Sequence, residues 1–322
     1  MLHASSASPP RVSIVLPTWN GERDLERLLP ALAAQRLDGG FELLAVDSSS
    51  TDGTYELLRA AGADLVRIPK AEFGHGRTRT ARAKDARGEI LVFLSQDVEP
   101  GGPDFLAELV APFGDRPRLA GVCARVLPHD SDDMLTTRTV LTLPEASPES
   151  AYWALCDVAG LWELTPAERA RRLRFNNVAS AVRATVFQEI SFPDVPFGED
   201  FAWAARVLTA GHELGFCARA LVRHAHTYGP WAAFERYRTD AWFHRVTHGW
   251  RMRPTLRAAL RGLAYELRED VRFARGRGLA ASAGALARAP ALRAAQILGQ
   301  YVGSKGSPPR AWKGAPWAVP HP

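Results

Sequence analysis

The residues best placed to do chemistry are carboxylates and imidazoles that follow apolar runs. Phe93-Leu94-Ser95-Gln96-Asp97 is a hydrophobic run that delivers a carboxylate at its end. Asp97 suits a divalent cation, which would bridge phosphate oxygens and neutralise charge as a leaving group departs. Glu99 would point the same way if the strand ran on, but Pro100 predicts a turn there. His224-Ala225-His226 ends the β-like run Leu214–Arg223. Histidines at i and i+2 share a strand face, so His226 could be a neutral imidazole ligand to the same cation, or simply structural. Gly198-Glu199-Asp200 precedes the apolar stripe Phe201, Trp203, Ala204, Val207 and Leu208. Two carboxylates at a helix start are stabilised by its dipole. They read either as plain capping or as a general base, which must be ionised and within reach of an acceptor hydroxyl.

Other clusters carry less by themselves. Asp47 follows an apolar run and can accept hydrogen bonds from a ribose or a base N–H, or cap its own loop. Asp52 reads as a helix cap or loop anchor. Phe73-Gly74-His75-Gly76-Arg77-Thr78-Arg79 combines two glycines, a helix start and arginines. It suits a pyrophosphate cradle or a flexible surface loop. It is neither a P-loop nor a dinucleotide fingerprint. Asp240, His244 and His248 fall at i, i+4, i+8 on a predicted helix. HExxH is absent and the helix lies away from the strand ends, so a structural role is expected over a zinc site.

The elements that must position these residues alternate. Val12–Leu16 and Phe41–Val46 read as buried strands, and Asp64–Ile68, Glu89–Leu94 and Ala120–Val126 as further strands. Leu25, Leu28, Leu29 and Leu32 form an amphipathic helix stripe. Further helices are expected over Tyr55–Ala61, 77–87 and Leu106–Phe113. Such alternation implies an α/β fold, a mainly parallel sheet flanked by helices. Ligands bind such sheets beyond the carboxyl ends of the strands. That directs attention to Pro17–Asn20, Asp47–Ser50 and Ser95–Asp97. Residues 127–175 read as a partly helical excursion. The expected organisation is a disordered leader (1–10), a catalytic domain (11–229), a helical extension (230–303) and a Pro-rich tail (304–322).

Composition sets the outer bounds. The chain has 322 residues, 46% of them hydrophobic and 23% charged, an ordinary globular balance. The net charge of +5 suits phosphate-bearing ligands or an anionic membrane surface, unless it reflects a generally arginine-rich proteome. No zinc-finger spacing or RRM-type signature supports nucleic acid. The three cysteines are scattered, which fits a reducing cytoplasm. The N-terminus has no apolar signal region, and no run reaches the ~18 apolar residues of a membrane span. A cytoplasmic protein is expected, possible contact with the inner face of the membrane included. Residues 254–303 place arginines among Leu and Ala, as in Leu256, Leu260 and Leu263 with Arg257 and Arg261. Such helices either lie on an anionic bilayer or pack on the core.

In their order along the chain, these motifs resemble glycosyltransferase family 2, whose members have the GT-A fold. The likeness runs from Val12 to about Tyr237. Val12-Ser13-Ile14-Val15-Leu16-Pro17-Thr18-Trp19-Asn20 looks like the family's first strand and turn. Asp47-Ser48-Ser49-Ser50-Thr51-Asp52-Gly53-Thr54 looks like its nucleotide-contacting segment. The Phe-Gly-His-Gly loop, Gln96-Asp97, Phe175-Asn176-Asn177-Val178, Pro196-Phe197-Gly198-Glu199-Asp200 and His224-Ala225-His226-Thr227-Tyr228 resemble bacterial rhamnosyltransferases in particular. The resemblance implies an inverting glycosyltransferase dependent on Mg²⁺ or Mn²⁺, with dTDP-rhamnose as the favoured donor. The acceptor would be a glycan or lipid-linked hydroxyl in cell-surface polysaccharide or glycolipid synthesis. By the same resemblance Pro17, Thr18, Asn20, Asp47, Ser49, Arg79 and Gln96 would serve the donor, with Arg79 near the pyrophosphate. Asp97 and His226 would hold the metal. Asp200 would deprotonate the acceptor hydroxyl, and Glu199 would orient the base or the sugar. The chain departs from the wider family at Ser95, where the first Asp of Asp-x-Asp is usual, and at Thr80, where Asn is common. A UDP- or GDP-sugar donor, or a non-catalytic nucleotide-binding scaffold, are the alternatives.

Overall fold

A computed structural model describes residues 9–155 and 158–306. The expected leader and tail fall largely outside the described residues, as does Cys156. The first half alternates as its apolar periodicity dictates: β1 (Val12–Thr18), α1 (Glu22–Ala33), β2 (Phe41–Asp47), α2 (Thr54–Ala60), β3 (Asp64–Arg67), α3 (His75–Ala83) and β4 (Ile90–Leu94). Next come β5 (Glu99–Pro100), α4 (Phe105–Val110), α5 (Pro112–Asp115), β6 (Leu119–Leu127) and α6 (Met134–Leu141). The middle holds β7 (Ala151–Ala154), α7 (Val158–Glu163), α8 (Pro166–Arg172), β8 (Ala179–Arg183), α9 (Ala184–Glu189), α10 (Glu199–Thr209) and β9 (Glu213–Arg223). Three long helices follow: α11 (Pro230–His248), α12 (Leu256–Arg277) and α13 (Leu279–Gly303).

Among the described residues one sheet of 9 strands runs in the order β3-β2-β1-β4-β8-β6-β9-β5, with β7 paired to β9. β3, β2, β1 and β4 are mutually parallel. β8 is antiparallel to both β4 and β6, so the sheet is mixed beyond β4. β6 and β9 are again parallel. The excursion at 127–175 is tied in by β7, which pairs antiparallel with β9. β1, β2 and β4 are buried on both faces and mostly apolar, with Ser13 of β1 donating to the buried Glu42 of β2. The register pairs Thr18 with Asp47, which levels the carboxyl ends of β1 and β2. The candidate chemistry lies at that edge.

Helix α10 is set by one aromatic anchor. Trp203 is fully buried, and its Nε1 donates to the Ile190 carbonyl at 2.6 Å. Its ring lies 4.9 Å from that of Phe175 and 5.6 Å from that of Phe192. Gly121 leaves room for it: a Cβ there would sit 2.8 Å from the Trp203 ring. Losing a buried Trp side chain costs about 3–5 kcal/mol. The anchor therefore fixes the residues one turn earlier, Glu199 and Asp200.

The C-terminal helices pack on each other and on α6. In α13, Gly299 and Gly303 lie against the Phe234 and Arg238 carbonyls of α11, where a Cβ would come within 2.5 and 2.3 Å. Met134 and Leu135 of α6 share a core with Ala274, Ala285 and Ala289. Asp270 of α12 has no exposed surface and receives Arg138 Nε at 2.7 Å and Arg293 Nη2 at 2.8 Å. No helix among the described residues is long and apolar enough to cross a membrane.

Candidate active site

The end of β4 carries a group of side chains that could hold a metal ion. The Ser95 amide donates to the Val178 carbonyl at 2.9 Å, which turns the chain so that Asp97 faces the residues after β9. There His224 Nε2 lies 3.3 Å and His226 Nε2 3.6 Å from Asp97 Oδ2. The three side chains offer ligand atoms within 4.8 Å of one another, alone among the described residues. Burial opposes ionisation of Asp97, but the His224 hydrogen bond and both histidine charges outweigh it and hold its pKa low. Burial, helped by the His224 charge, lowers the pKa of His226. Ionised carboxylate and neutral imidazole are the forms that bind metal. His224 is the closer and more buried of the two histidines, and the sequence alone did not separate them. Glu99 turns elsewhere, to His129 Nδ1 at 3.6 Å.

A second carboxylate group stands at the start of α10. Gly198 adopts φ +76°, and a Cβ there would collide with the Phe243 ring at 2.4 Å, so glycine is required. Glu199 is buried and accepts from Arg79 Nη1 at 3.0 Å and Asn177 Nδ2 at 3.4 Å. Asp200 is half-buried and accepts the Phe201 amide at 2.9 Å. Loss of water and then the Glu199 charge push its pKa up to about 7, against the pull of the Phe201 amide and Arg79. A base titrating near neutrality suits proton abstraction. The Asp97 cluster and the carboxylates of α10 share a link, since Val178, which fixes the Ser95 turn, directly follows Asn177, which holds Glu199.

The donor-side residues are mostly engaged in shaping their loops. Gln96 Oε1 accepts the Trp19 amide at 2.8 Å and its Nε2 donates to the Trp19 carbonyl at 3.2 Å. It pins the turn after β1 through both ends of its amide. Asn20, at φ +45°, donates its amide to Ser50 Oγ and accepts the Thr51 amide on Oδ1. Thr18 Oγ1 donates to the Val46 carbonyl, and Pro17 pairs in register with Val46. Ser49, at φ +60°, donates to the Ile68 carbonyl. Asp47 has no exposed surface; it accepts the Ser50 amide and pairs with Arg67 at 3.0 Å. In this arrangement it holds the turn, and a ribose or base would reach it only if Arg67 yielded. Asp52 anchors its loop by accepting the Thr54 and Glu22 amides.

Arg79 differs most from its expected place. Its side chain is 5% exposed and spent on Glu199, so it backs the base and offers no open cation to a pyrophosphate. The Gly76 gap is likewise taken, by the Pro193 carbonyl, 2.1 Å from where a Cβ would be. Asp240 pairs with Arg236 at 3.1 Å, while His244 and His248 pack against Phe201 and Phe243. Burial drives these two imidazoles down to about 4 and about 3, as expected of structural histidines.

The description "Glycosyl transferase family 2" matches residues 13–181. The chain belongs to that family. It is 31% identical over 238 residues to the O-antigen chain rhamnosyltransferase RfbN of Salmonella typhimurium, covering 73% of this chain and 72% of the relative. It is 30% identical over 239 residues to the O-antigen chain rhamnosyltransferase WbaN of Salmonella anatum, with 73% and 72% covered. Among solved structures it resembles the mannosyltransferase PcManGT of Pyrobaculum calidifontis, solved with GDP-Man and Mn²⁺. That match has a TM-score of 0.56 and 20% identity, over 91% of this chain and 86% of the other. The fold is therefore GT-A-like and the protein is a glycosyltransferase.

Sequence reasoning missed three residues of this family 2 site. Arg67 pairs with Asp47 and remains half-exposed at the donor edge. Asn177 clamps Glu199. Arg236, on α11, lies 5.4 Å from the Phe197 ring; burial is the main cause that lowers the pKa of His75 and His226, and the Arg236 charge adds to it at both. Asn177 lay inside a quoted motif, but neither arginine lay in one.

Proposed function

We propose that this family 2 enzyme is a metal-dependent inverting transferase in cell-surface polysaccharide or glycolipid synthesis, moving L-rhamnose from dTDP-rhamnose to a hydroxyl of a glycan or lipid-linked acceptor. Residues 11–229 would form the catalytic part and 230–303 its helical extension. The observation that carries the reading is the pairing of Asp97, His224 and His226 with a base whose pKa lies near 7, in a chain so similar to two rhamnosyltransferases.

One carboxylate and two imidazoles make a donor set that suits Mn²⁺ better than the all-oxygen preference of Mg²⁺. A bound divalent cation would offset the negative charge of the departing nucleoside diphosphate. Asp200 takes the proton from the acceptor hydroxyl. The freed oxygen attacks the anomeric carbon on the face opposite the diphosphate, so configuration inverts. Glu199, neutralised by Arg79, holds the start of α10 in place. Asp47, Ser49, Asn20, Thr18 and Pro17 shape the nucleotide edge, and Gln96 locks it to the metal turn.

Calorimetric binding of dTDP-rhamnose, UDP-glucose and GDP-mannose, each with Mn²⁺, Mg²⁺ or chelator, tests the donor. Metal-dependent binding of dTDP-rhamnose alone is expected. Preference for a UDP- or GDP-sugar would keep the transferase and replace the donor. Binding of none would overturn the reading.

A further inference from the structure

Helix α12 sorts its charges by face. Arg257, Arg261, Arg268, Arg272 and Arg275 are all exposed and recur at helical spacing along one side. The acids of the helix point elsewhere or are already engaged. Asp270 is fully buried between Arg138 and Arg293, and Glu266 pairs with Arg138. Glu269 is 21% exposed and lies beside Arg268 and Arg272. The arginine face also carries apolar side chains in water: Leu260 is 59% exposed, Tyr265 52% and Val271 38%. From Arg257 to Arg275 the stripe is about 27 Å long.

The face continues onto a second element. A groove of about 490 Å³ is lined by Tyr265, Glu269, Arg272 and Arg277 of α12 and by Thr142, just past α6. Leu141 and Leu143, the two neighbours of Thr142, are 43% and 42% exposed. A second groove of about 470 Å³ lies among Arg268, Glu269, Val271, Arg272 and Arg275, so each groove holds one acid against two or more arginines. Guanidinium groups over concave ground, rimmed by exposed leucines, match phosphate headgroups above an apolar layer. A nucleic acid would answer the arginines but offer nothing to the leucines.

We propose that the α12 face, with Leu141 and Leu143, docks the protein on an anionic phospholipid surface. Helix α6 joins this face to the metal group. Its first turn touches the segment after His226, with Thr136 Oγ1 and Thr227 Oγ1 at 3.1 Å, and its last residue is Leu141. A site linked in this way to the docked face suits an acceptor held in the lipid, a point that rests on the transferase reading.

The test is co-sedimentation of the full chain with phosphatidylglycerol–phosphatidylcholine vesicles and with phosphatidylcholine alone, in low and high salt. Binding to the anionic vesicles only, weakened by salt, is expected. Arg268→Gln/Arg272→Gln/Arg275→Gln should weaken it on the order of a hundred-fold, since each arginine near an anionic surface contributes about five-fold. These side chains are exposed, so the Tm should hold. Leu141→Ser/Leu143→Ser should weaken binding independently of salt. No binding, equal binding to neutral vesicles, or full binding by the triple variant would overturn the proposal. So would loss of a dimer in the triple variant, which would make the face a subunit contact. Sedimentation needs no turnover, so its failure leaves the transferase reading standing.

Discussion

Arg79 and Glu199, 120 residues apart in sequence, form a buried ion pair at 3.0 Å directly behind Asp200. The pair clamps α3 to the start of α10. It also lets a second carboxylate sit next to the base without driving the base fully neutral, because the guanidinium offsets part of the Glu199 charge. Arg79→Met removes one partner and leaves the other buried, which costs about 3–5 kcal/mol. Urea denaturation should show this loss. In whatever folds, the acid limb of the rate profile should move to higher pH, since the charge that favoured ionised Asp200 is gone.

The raised pKa of Asp200 has two consequences of opposite sign. In the proposed role its ionised form is the base, so kcat/KM should fall as pH drops through about 7. Its protonated form is the one the fold prefers. Between the ordinary value of 3.8 and about 7 the folded chain holds a proton that the unfolded chain has lost. Stability therefore falls as pH rises across that window. Asp200→Asn should abolish transfer, spare donor binding, and raise the Tm at pH 8 relative to the parent. An unchanged Tm together with full loss of activity would show that the base is not strained.

The metal group should discriminate by ligand. With two imidazoles and one carboxylate, Mn²⁺ should support transfer better than Mg²⁺, and chelator should stop it. Asp97→Asn should abolish activity at any metal concentration. His224→Ala and His226→Ala should each raise the Mn²⁺ needed for half-maximal activity, by about 10–100-fold if both nitrogens bind. If only His224→Ala does so, His226 is a neighbour and not a ligand.

The strands and helices of the first half were legible because each is long enough to show its own period, as with Leu25, Leu28, Leu29 and Leu32 on α1. The antiparallel insertion of β8 was not, since nothing in Ala179–Arg183 encodes its neighbours β4 and β6. At the candidate site, type and order singled out Asp97, His226 and Asp200, because carboxylates and imidazoles at strand ends and helix starts are conspicuous. What each side chain touches could not be read. Arg79 and Asp47 look like free polar groups in sequence, but their partners Glu199 and Arg67 come from other elements. Asn177 lay in a quoted motif without a role, and Arg236 enters only through tertiary contacts.

One buried carboxylate ties α12 and α13 to α6. Asp270 has no exposed surface and serves Arg138 from α6 and Arg293 from α13 at once. Arg293 is 2% exposed and also donates to Gln296 and Thr139, so it has no route to water. Asp270→Asn keeps the shape but leaves two buried guanidinium groups facing a neutral amide. Removing one member of such a network costs about 3–5 kcal/mol. Hydrogen exchange should show α6, α12 and α13 losing protection together, while β1, β2 and β4, far along the sheet, keep theirs. Because α6 touches Thr227 through Thr136, the variant should also raise the Mn²⁺ requirement, whereas nucleotide binding at the β1–β2 edge should stay as it was. Uniform loss of protection through the whole chain would mean instead that the helices and the sheet unfold as one unit.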